Sequence, residues 1–198
     1  MKILYAIVTC ERRSTQAQAQ RESWLNDVGD RADVRFFLGR QKREALRDEV
    51  YLDVRDDYEG LPGKVREVTR WALEHHYSLM LKLDDDVVLF PSRVVLPRSD
   101  YAGLTQHSGH YDWCAGMTYW LRERAMQVVA TSVLTDDPFE DRWVGTVLGK
   151  AGIRGQRDDK IRVVRAKAAS MPHNLHAQLA HCYAAGEFTA SELLQVYR

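Results

Sequence analysis

The chain has 198 residues, of which 45% are hydrophobic and 28% charged, and its 28 Lys+Arg balance its 28 Asp+Glu. That length allows one sizeable domain with a real core, and the composition is ordinary for a globular protein. A formal net charge of zero excludes nucleic-acid binding driven by overall charge and leaves only a local basic patch as a route to it.

Met1 and Lys2 lead straight into the apolar run Ile3–Val8, so residues 2–9 are predicted as a core strand ending at Thr9. The N-terminus has no signal-peptide layout, and no stretch approaches the length of a membrane span. A complete cytoplasmic protein without a membrane anchor is therefore expected. Cys10, Cys114 and Cys182 are far apart, form no CxxC pattern and suggest no disulfide framework, which fits a reducing compartment. Residues 15–27, rich in Gln and Ala and carrying Trp24 and Leu25, read as a helix. Residues 33–39 read as a second strand stopped by Gly39, and 41–49 as a short charged helix. Pro62 suits a helix start, and Val65, Val68 and Ala72 recur at helical spacing, carrying that helix to about Tyr77.

A strand at 79–83 follows and delivers Asp84, Asp85 and Asp86 at its C-terminal end. In the second half, 111–121 and 127–134 look like strands with Gly116 between, and Asp136-Asp137-Pro138 is a turn. Residues 141–150 read as a helix ending near Gly152, and 161–165 as a strand. Thr189 with Glu192 forms a capping box for a last helix. The whole reads as one α/β domain, with a nucleotide-binding-like half over 1–90 and a more specialised half over 91–198.

The aspartate triplet interrupts the apolar run Leu79-Met80-Leu81-Lys82-Leu83 … Val87-Val88-Leu89-Phe90. Adjacent like charges repel, and apolar flanks draw them out of bulk water. A hard divalent cation such as Mn2+ or Mg2+ resolves the conflict, because such ions prefer carboxylate oxygens. The plainer alternative is a solvated acidic turn. Open α/β sheets bind ligands at the carboxyl ends of their strands, so Thr9 and the triplet are expected to share one crevice.

Gly60-Leu61-Pro62-Gly63-Lys64 falls short of a GxxxxGK[ST] phosphate loop, which disfavours an ATPase. Lys64, just inside a helix start, could add positive charge to a diphosphate; alone it reads as an exposed helix lysine. Arg12, Arg13 and Arg21 could face phosphates or form a solvated helix face. A second acidic cluster, Asp136, Asp137, Glu140 and Asp141, precedes an apolar helix. It reads either as a dipole-favoured helix start or as the source of a general base facing the metal across a cleft. His173 and His176 lie in a late loop and are candidate metal ligands; Trp113, Tyr119 and Trp120 read as core, with sugar or base stacking as the alternative.

Several of these segments together resemble glycosyltransferase family 31, the β-1,3-galactosyltransferase and Fringe-like enzymes. Arg13 to Arg21-Glu22-Ser23-Trp24 resembles that family's arginine segment ending in R-x-T-W, and Arg35-Phe36-Phe37-Leu38-Gly39 its F-L-L-G strand. Asp56-Asp57-Tyr58-Glu59-Gly60-Leu61-Pro62-Gly63-Lys64 resembles D-x-Y-x-N-L-T-x-K, and Lys82 to Val87 matches K-x-D-D-D-V. Cys114 to Leu121 resembles C-x-G-G-G-Y-V-L, and Glu140-Asp141-Arg142-Trp143-Val144-Gly145 resembles E-D-V-x-x-G. The matches keep chain order over residues 9–153. Met117 and Thr118 stand where the family has glycines in a donor-side loop, which leaves the sugar open, and Arg142 replaces a valine.

The resemblance implies a GT-A fold, a nucleotide-sugar donor (usually UDP-linked), manganese and an inverting displacement. It makes Asp86 the principal metal ligand, and turns Asp84 and Asp85 toward nucleotide and sugar, Asp84 also serving the metal. It makes Asp141 the base and His173, ahead of His176, the histidine that completes the metal site. Thr9, Arg13, Arg21, Lys64 and Gly116 are the remaining donor-side candidates. A metal-dependent glycosyltransferase is thus the expected function. A two-metal nuclease or nucleotidyltransferase and a non-catalytic nucleotide-sugar-binding protein are the alternatives. The acceptor stays open among saccharides, lipid-linked glycans, small molecules and hydroxymethylated bases of phage-type DNA. The last rests on Arg154, Arg157, Lys160, Arg162 and Arg165, set against Asp158 and Asp159.

Overall fold

A computed structural model of the chain describes residues 1–108, 111–163, 179, 182–186 and 188–197. His173 and His176 lie outside these residues, as does Arg165. The first half supplies β1 (Ile3–Val8), α1 (Ser14–Arg21), β2 (Asp33–Leu38), β3 (Glu49–Tyr51), α2 (Leu61–Glu74), β4 (Leu79–Asp84) and β5 (Val88–Leu89). The second half supplies β6 (Tyr101–Ser108), β7 (Tyr111–Arg122), α3 (Glu123–Thr131), α4 (Glu140–Lys150), β8 (Gln156–Arg157), β9 (Ile161–Val163), β10 (Ala184–Gly186) and α5 (Ala190–Tyr197).

Among the described residues a seven-stranded sheet runs in the order β3-β2-β1-β4-β7-β6-β8, so both halves of the chain contribute to it. Strands β3, β2, β1 and β4 are parallel, and β7 turns the sheet mixed by pairing antiparallel with β4 and β6. A second sheet, β5-β10-β9, packs beside it. The mixed α/β architecture expected from strand–helix alternation is the one observed.

Strand periodicity divides the core. Leu4, Ala6 and Val8 of β1 face α2, α3 and α4, where Val65, Val68, Met126, Val129, Trp143 and Val144 are buried. Tyr5 and Ile7 point the other way, with Trp24, Phe36, Trp120 and Tyr183. The same alternation in β4 sends Leu79, Leu81 and Leu83 to the second face and Met80 to the first. Lys82 follows Met80 onto the first face and is itself buried.

Some local expectations are overturned. Residues 127–134 are not a strand: Glu123–Thr131 is helical, with Ala125, Met126, Val129 and Ala130 buried at helical spacing. Residues 41–49 form no helix; the Arg43 side chain folds back on Glu49, and Glu49 begins β3. The helix expected over 15–27 closes at Arg21, and a separate 3-10 turn carries Trp24. Met117 and Thr118 belong to β7, not to a loop; Met117 packs against Gly186, and Thr118 donates to the Lys82 carbonyl at 2.8 Å. The Thr189–Glu192 box forms in both directions: the Glu192 amide donates to Thr189 Oγ1 (3.3 Å), and the Thr189 amide donates to Glu192 Oε2 (2.7 Å).

Helix α4 lies unusually close to β7. A Cβ at Gly145 would meet the Trp113 side chain and come within 2.8 Å of the Asp112 carbonyl, and one at Gly149 would meet the Tyr111 ring. Backbone cannot yield at Gly145 as a side-chain tip can. Gly145→Ala is therefore expected to push α4 off the sheet. Overpacking costs about 1–3 kcal/mol, which outweighs the ~1 kcal/mol alanine gains in a helix interior. A thermal or urea melt should show a net loss of stability; an unchanged or raised midpoint would contradict the close packing.

Candidate active site

The parallel strands end together at one cavity. It is about 630 Å³ and is lined by Thr9, Arg12 and Arg13 after β1, by Gln41, Asp56 and Tyr58 from the loops, by Lys64 of α2, and by Asp84, Asp85 and Asp86. Thr9 and the triplet thus share one cavity at the carboxyl ends of β1 and β4.

The triplet's backbone is held from behind. Gln20 of α1, fully buried, donates through Nε2 to the carbonyls of Asp84 and Val87, both at 3.2 Å. The Phe188 amide, just past β10, donates to the Asp86 carbonyl at 3.0 Å. Both contacts secure main chain and leave the carboxylates to the cavity. The sequence carried a sign of the first: Gln20 lies one turn from Ala17 on a face that packs inward.

Each carboxylate meets a different environment. Asp85 is buried, accepting from Thr9 Oγ1 and from Arg13 Nε, each at 2.6 Å. Among the described residues Asp86 receives one side-chain donor, Arg13, at 3.3 Å. Its carboxyl sits above the usual range because burial and the neighbouring Asp85 disfavour its charge more than Arg13 and Lys82 restore it. Asp84 accepts from Lys82 Nζ at 2.5 Å and leaves 39% of its side chain exposed. Burial, with Asp86 adding to it, pushes Asp84 up to about 6 despite Lys82, and the cavity's access to water limits that penalty. Among the described residues, Asp84 and Asp86 therefore carry negative charge with less compensation than Asp85 receives.

Behind Asp84 lies a buried ionic cluster. Lys82 Nζ also donates to the Gly116 carbonyl and reaches Glu140 Oε2 at 3.4 Å. Glu140 accepts from the Tyr119 hydroxyl through its other oxygen. Burial drives the Glu140 carboxyl up to about 7, against the pull of Lys82 and Tyr119. Burial disfavours the Lys82 charge too, but Asp84 and Glu140 together outweigh it and hold the ammonium protonated.

Asp141 stands beside this cluster in the first turn of α4, where the helix dipole favours a carboxylate. Its Oδ2 accepts from the Gly116 amide at 3.1 Å. Asp84 and Asp141 thus approach the same residue, Gly116, one through Lys82 and one directly.

Two donor-side candidates are engaged elsewhere. Arg21 forms a two-pronged contact with Asp48 (2.8 and 3.0 Å), reaches Glu49 at 3.1 Å and lies over the Phe36 ring. The 630 Å³ cavity does not include it among its walls. Lys64 is buried and spends its ammonium on Asp56 and on the Thr9 carbonyl (2.8 Å). Asp56 in turn accepts from the Gly39 amide (2.8 Å), the Gln41 side chain (2.9 Å) and the Glu11 amide (3.3 Å). This carboxylate ties the loops after β1 and β2 to the start of α2 and shapes one wall of the cavity. Its role was not visible in the sequence, because the three segments it joins are far apart in the chain.

Among the described residues no group of three or more His, Cys, Asp or Glu is arranged to hold a metal ion. Nor, among those residues, is any helix long and apolar enough to cross a membrane.

No protein-family model matches the chain, and no curated protein matches it in sequence. In structure the chain is similar to a glycosyltransferase involved in the glycosylation of the major capsid of PBCV-1. The two superpose with a TM-score of 0.61, covering 100% of this chain and 99% of that one at 13% sequence identity. At that identity the likeness concerns the fold, and with the mixed seven-stranded sheet it makes the architecture GT-A.

Proposed function

We propose that the chain is an inverting glycosyltransferase of the family 31 kind, moving a sugar from a nucleoside-diphosphate sugar to an acceptor hydroxyl. One observation carries this reading. The acidic end of β4 and the helix-borne Asp141 converge on Gly116 beside a cavity large enough for a nucleotide.

The residues divide the work as follows. Thr9, Arg12 and Arg13, at the carboxyl end of β1, face the donor; the Arg12 guanidinium offsets its negative charge, while Arg13 stays with Asp85 and Asp86. Asp141 accepts the proton of the acceptor hydroxyl. The hydroxyl oxygen then bonds to the anomeric carbon while the bond from that carbon to the diphosphate breaks, and the diphosphate leaves with the electron pair. Holding both substrates in line supplies much of the acceleration.

The donor set suits a divalent cation. Among the described residues Asp84 and Asp86 are exposed to the cavity and less compensated than Asp85, and Mg2+-like ions are commonly held by one or two carboxylates plus substrate phosphates. These two residues would hold Mn2+ or Mg2+, and the ion's chemistry would be to neutralise the departing diphosphate. His173 remains a proposed further ligand. A two-metal nuclease is less well supported, because Asp85 is engaged by Thr9 and Arg13, which leaves Asp84 and Asp86 to hold two ions about 3.5–4 Å apart. A binding protein without catalysis would leave Asp141 the structural role of accepting from the Gly116 and Arg142 amides (3.1 and 2.8 Å).

The acceptor we propose is uncharged. Asp136 and Asp141 add negative charge at the start of α4, where Arg142 is taken up by Asp137 (2.7 Å) and the Phe139 ring and Glu140 is buried against Lys82. Val133, Leu134 and Phe139 beside them are exposed and apolar. A polyanion such as DNA would meet repulsion there, and in the basic stretch Arg157 is already paired with Asp159 at 2.6 Å.

Asp141→Asn is expected to lower transfer by about two to four orders of magnitude, the usual worth of general-base catalysis, while nucleotide binding persists. Calorimetry with the nucleoside diphosphate, run beside a mass-spectrometric transfer assay over a donor panel, separates the two. Normal turnover by this variant would remove Asp141 as the base. Asp86→Ala should abolish the manganese dependence of donor binding, and an unchanged dependence would overturn the metal assignment. With an uncharged acceptor, raising salt from 50 to 200 mM should leave the rate nearly flat, whereas a polyanion held by many phosphate contacts would lose roughly 10³–10⁵ in affinity. Transfer to hydroxymethylated DNA with that steep loss would reverse the acceptor assignment.

A further inference from the structure

Lys82 occupies a position where the strand pattern calls for an apolar side chain. It points to the same face as Met80, is 2% exposed, and sits between β4, β7 and α4. Buried ion pairs are weak devices for stability, since well-packed apolar groups often serve as well. The geometry around this lysine suggests another use.

Strand β7 leaves regular pairing where Lys82 meets it. Gly103 of β6 pairs with Tyr119, but Thr105 pairs with Cys114, so the β7 residues between are bulged out of the β6 ladder. The β4 ladder stops at Leu83 opposite Thr118. Bulges re-aim backbone and side chains next to functional sites. Here the freed groups belong to Gly116: its carbonyl accepts from Lys82, and its amide donates to Asp141. Lys82 simultaneously holds Asp84, and Glu140, braced by Tyr119, lies on the far side of its ammonium. Glu140 is also the residue before Asp141, so the same cluster anchors the first turn of α4.

We propose that Lys82 is the positioning residue of this site. Through the Gly116 bulge it sets the spacing between the donor-side carboxylate Asp84 and the acceptor-side carboxylate Asp141, with Glu140 as the counter-charge that keeps it there. This inference rests on the glycosyltransferase reading above. It assigns Lys82 no contact with substrate.

The test uses the full-length protein. Lys82→Met alone strands the buried Glu140 carboxylate and threatens folding, so the principal variant is Lys82→Met with Glu140→Gln, which removes charge from both sides. In protein labelled with [15N]glycine, the Gly116 amide is identified by its loss in Gly116→Ala. In the double variant its resonance should shift and its hydrogen exchange accelerate. In kinetics, kcat should fall roughly 100-fold, the order expected for a misplacement of about 1 Å, while donor-nucleotide affinity measured without divalent ion, which does not draw on Asp84 as a ligand, changes far less. If the double variant does not fold, Glu140→Gln and Lys82→Arg are read by the same amide and the same kcat-against-affinity split. Lys82→Arg, which keeps the charge, should retain more of kcat than Lys82→Met with Glu140→Gln if that folds, or otherwise perturb the Gly116 amide less than Glu140→Gln.

An unmoved Gly116 amide, or a fall in kcat matched by an equal loss of donor affinity, overturns the proposal. A wild-type protein that transfers no sugar from any donor would instead overturn the function, and the amide experiment would still report on the linkage.

Discussion

Three adjacent carboxylates at the end of a buried strand must each find positive charge or lose their own, and the rest of the site follows from how they do. Asp85 is neutralised inside the protein by Arg13 and Thr9. Asp84 is held from below by Lys82, which cannot reach the open side of the cavity. Among the described residues Asp86 has the far end of Arg13 as its side-chain donor. The compensation there is graded, fuller at Asp85 than at Asp84 and Asp86.

The same gradient explains why the surrounding backbone is so firmly tied. A carboxylate turn left free would rotate its side chains toward bulk water and away from the cavity. Gln20 and the Phe188 amide prevent this by occupying the turn's carbonyls. On the opposite wall, Asp56 and Lys64 neutralise each other and so add little charge to the cavity, while their hydrogen bonds join β1, β2 and α2. Lys64 is therefore a tie between segments, with its ammonium turned into the protein.

Across the sheet, two irregularities bring α4 to the triplet. Glycines at 145 and 149 let the helix lie against Trp113 and Tyr111, and the bulge in β7 turns Gly116 out of its ladder to meet the helix start. Without both, the helix would stand farther from β7 and Asp141 would lose its contact with Gly116. Exposed apolar side chains on the preceding loop, Val133, Leu134 and Phe139, then border the approach to Asp141.

The sequence by itself determined whatever depends on neighbours along the chain. Apolar runs at 3–8 and 79–83, proline at the start of α2, and the Thr189–Glu192 cap are local signals, and the elements they predict are present. The α/β alternation and the placement of the triplet at a strand's carboxyl end follow from the same kind of reading. Residues 127–134 carry Val128, Val129, Thr131 and Val133, β-branched residues that favour a strand, and only packing of α3 against α2 and α4 makes the segment helical through Thr131. Tertiary structure alone decided which charges meet. Arg21 reads either as facing phosphates or as a solvated helix face, and Lys64 as a helix-start lysine that could add charge to a diphosphate; in the fold Asp48 and Asp56, brought in by β3 and its loops, pair with them. Lys82 and Glu140 are 58 residues apart, and no periodicity links them. Charge pairing acts through space and depends on burial, so a linear pattern can show where charges lie but not which of them neutralise one another.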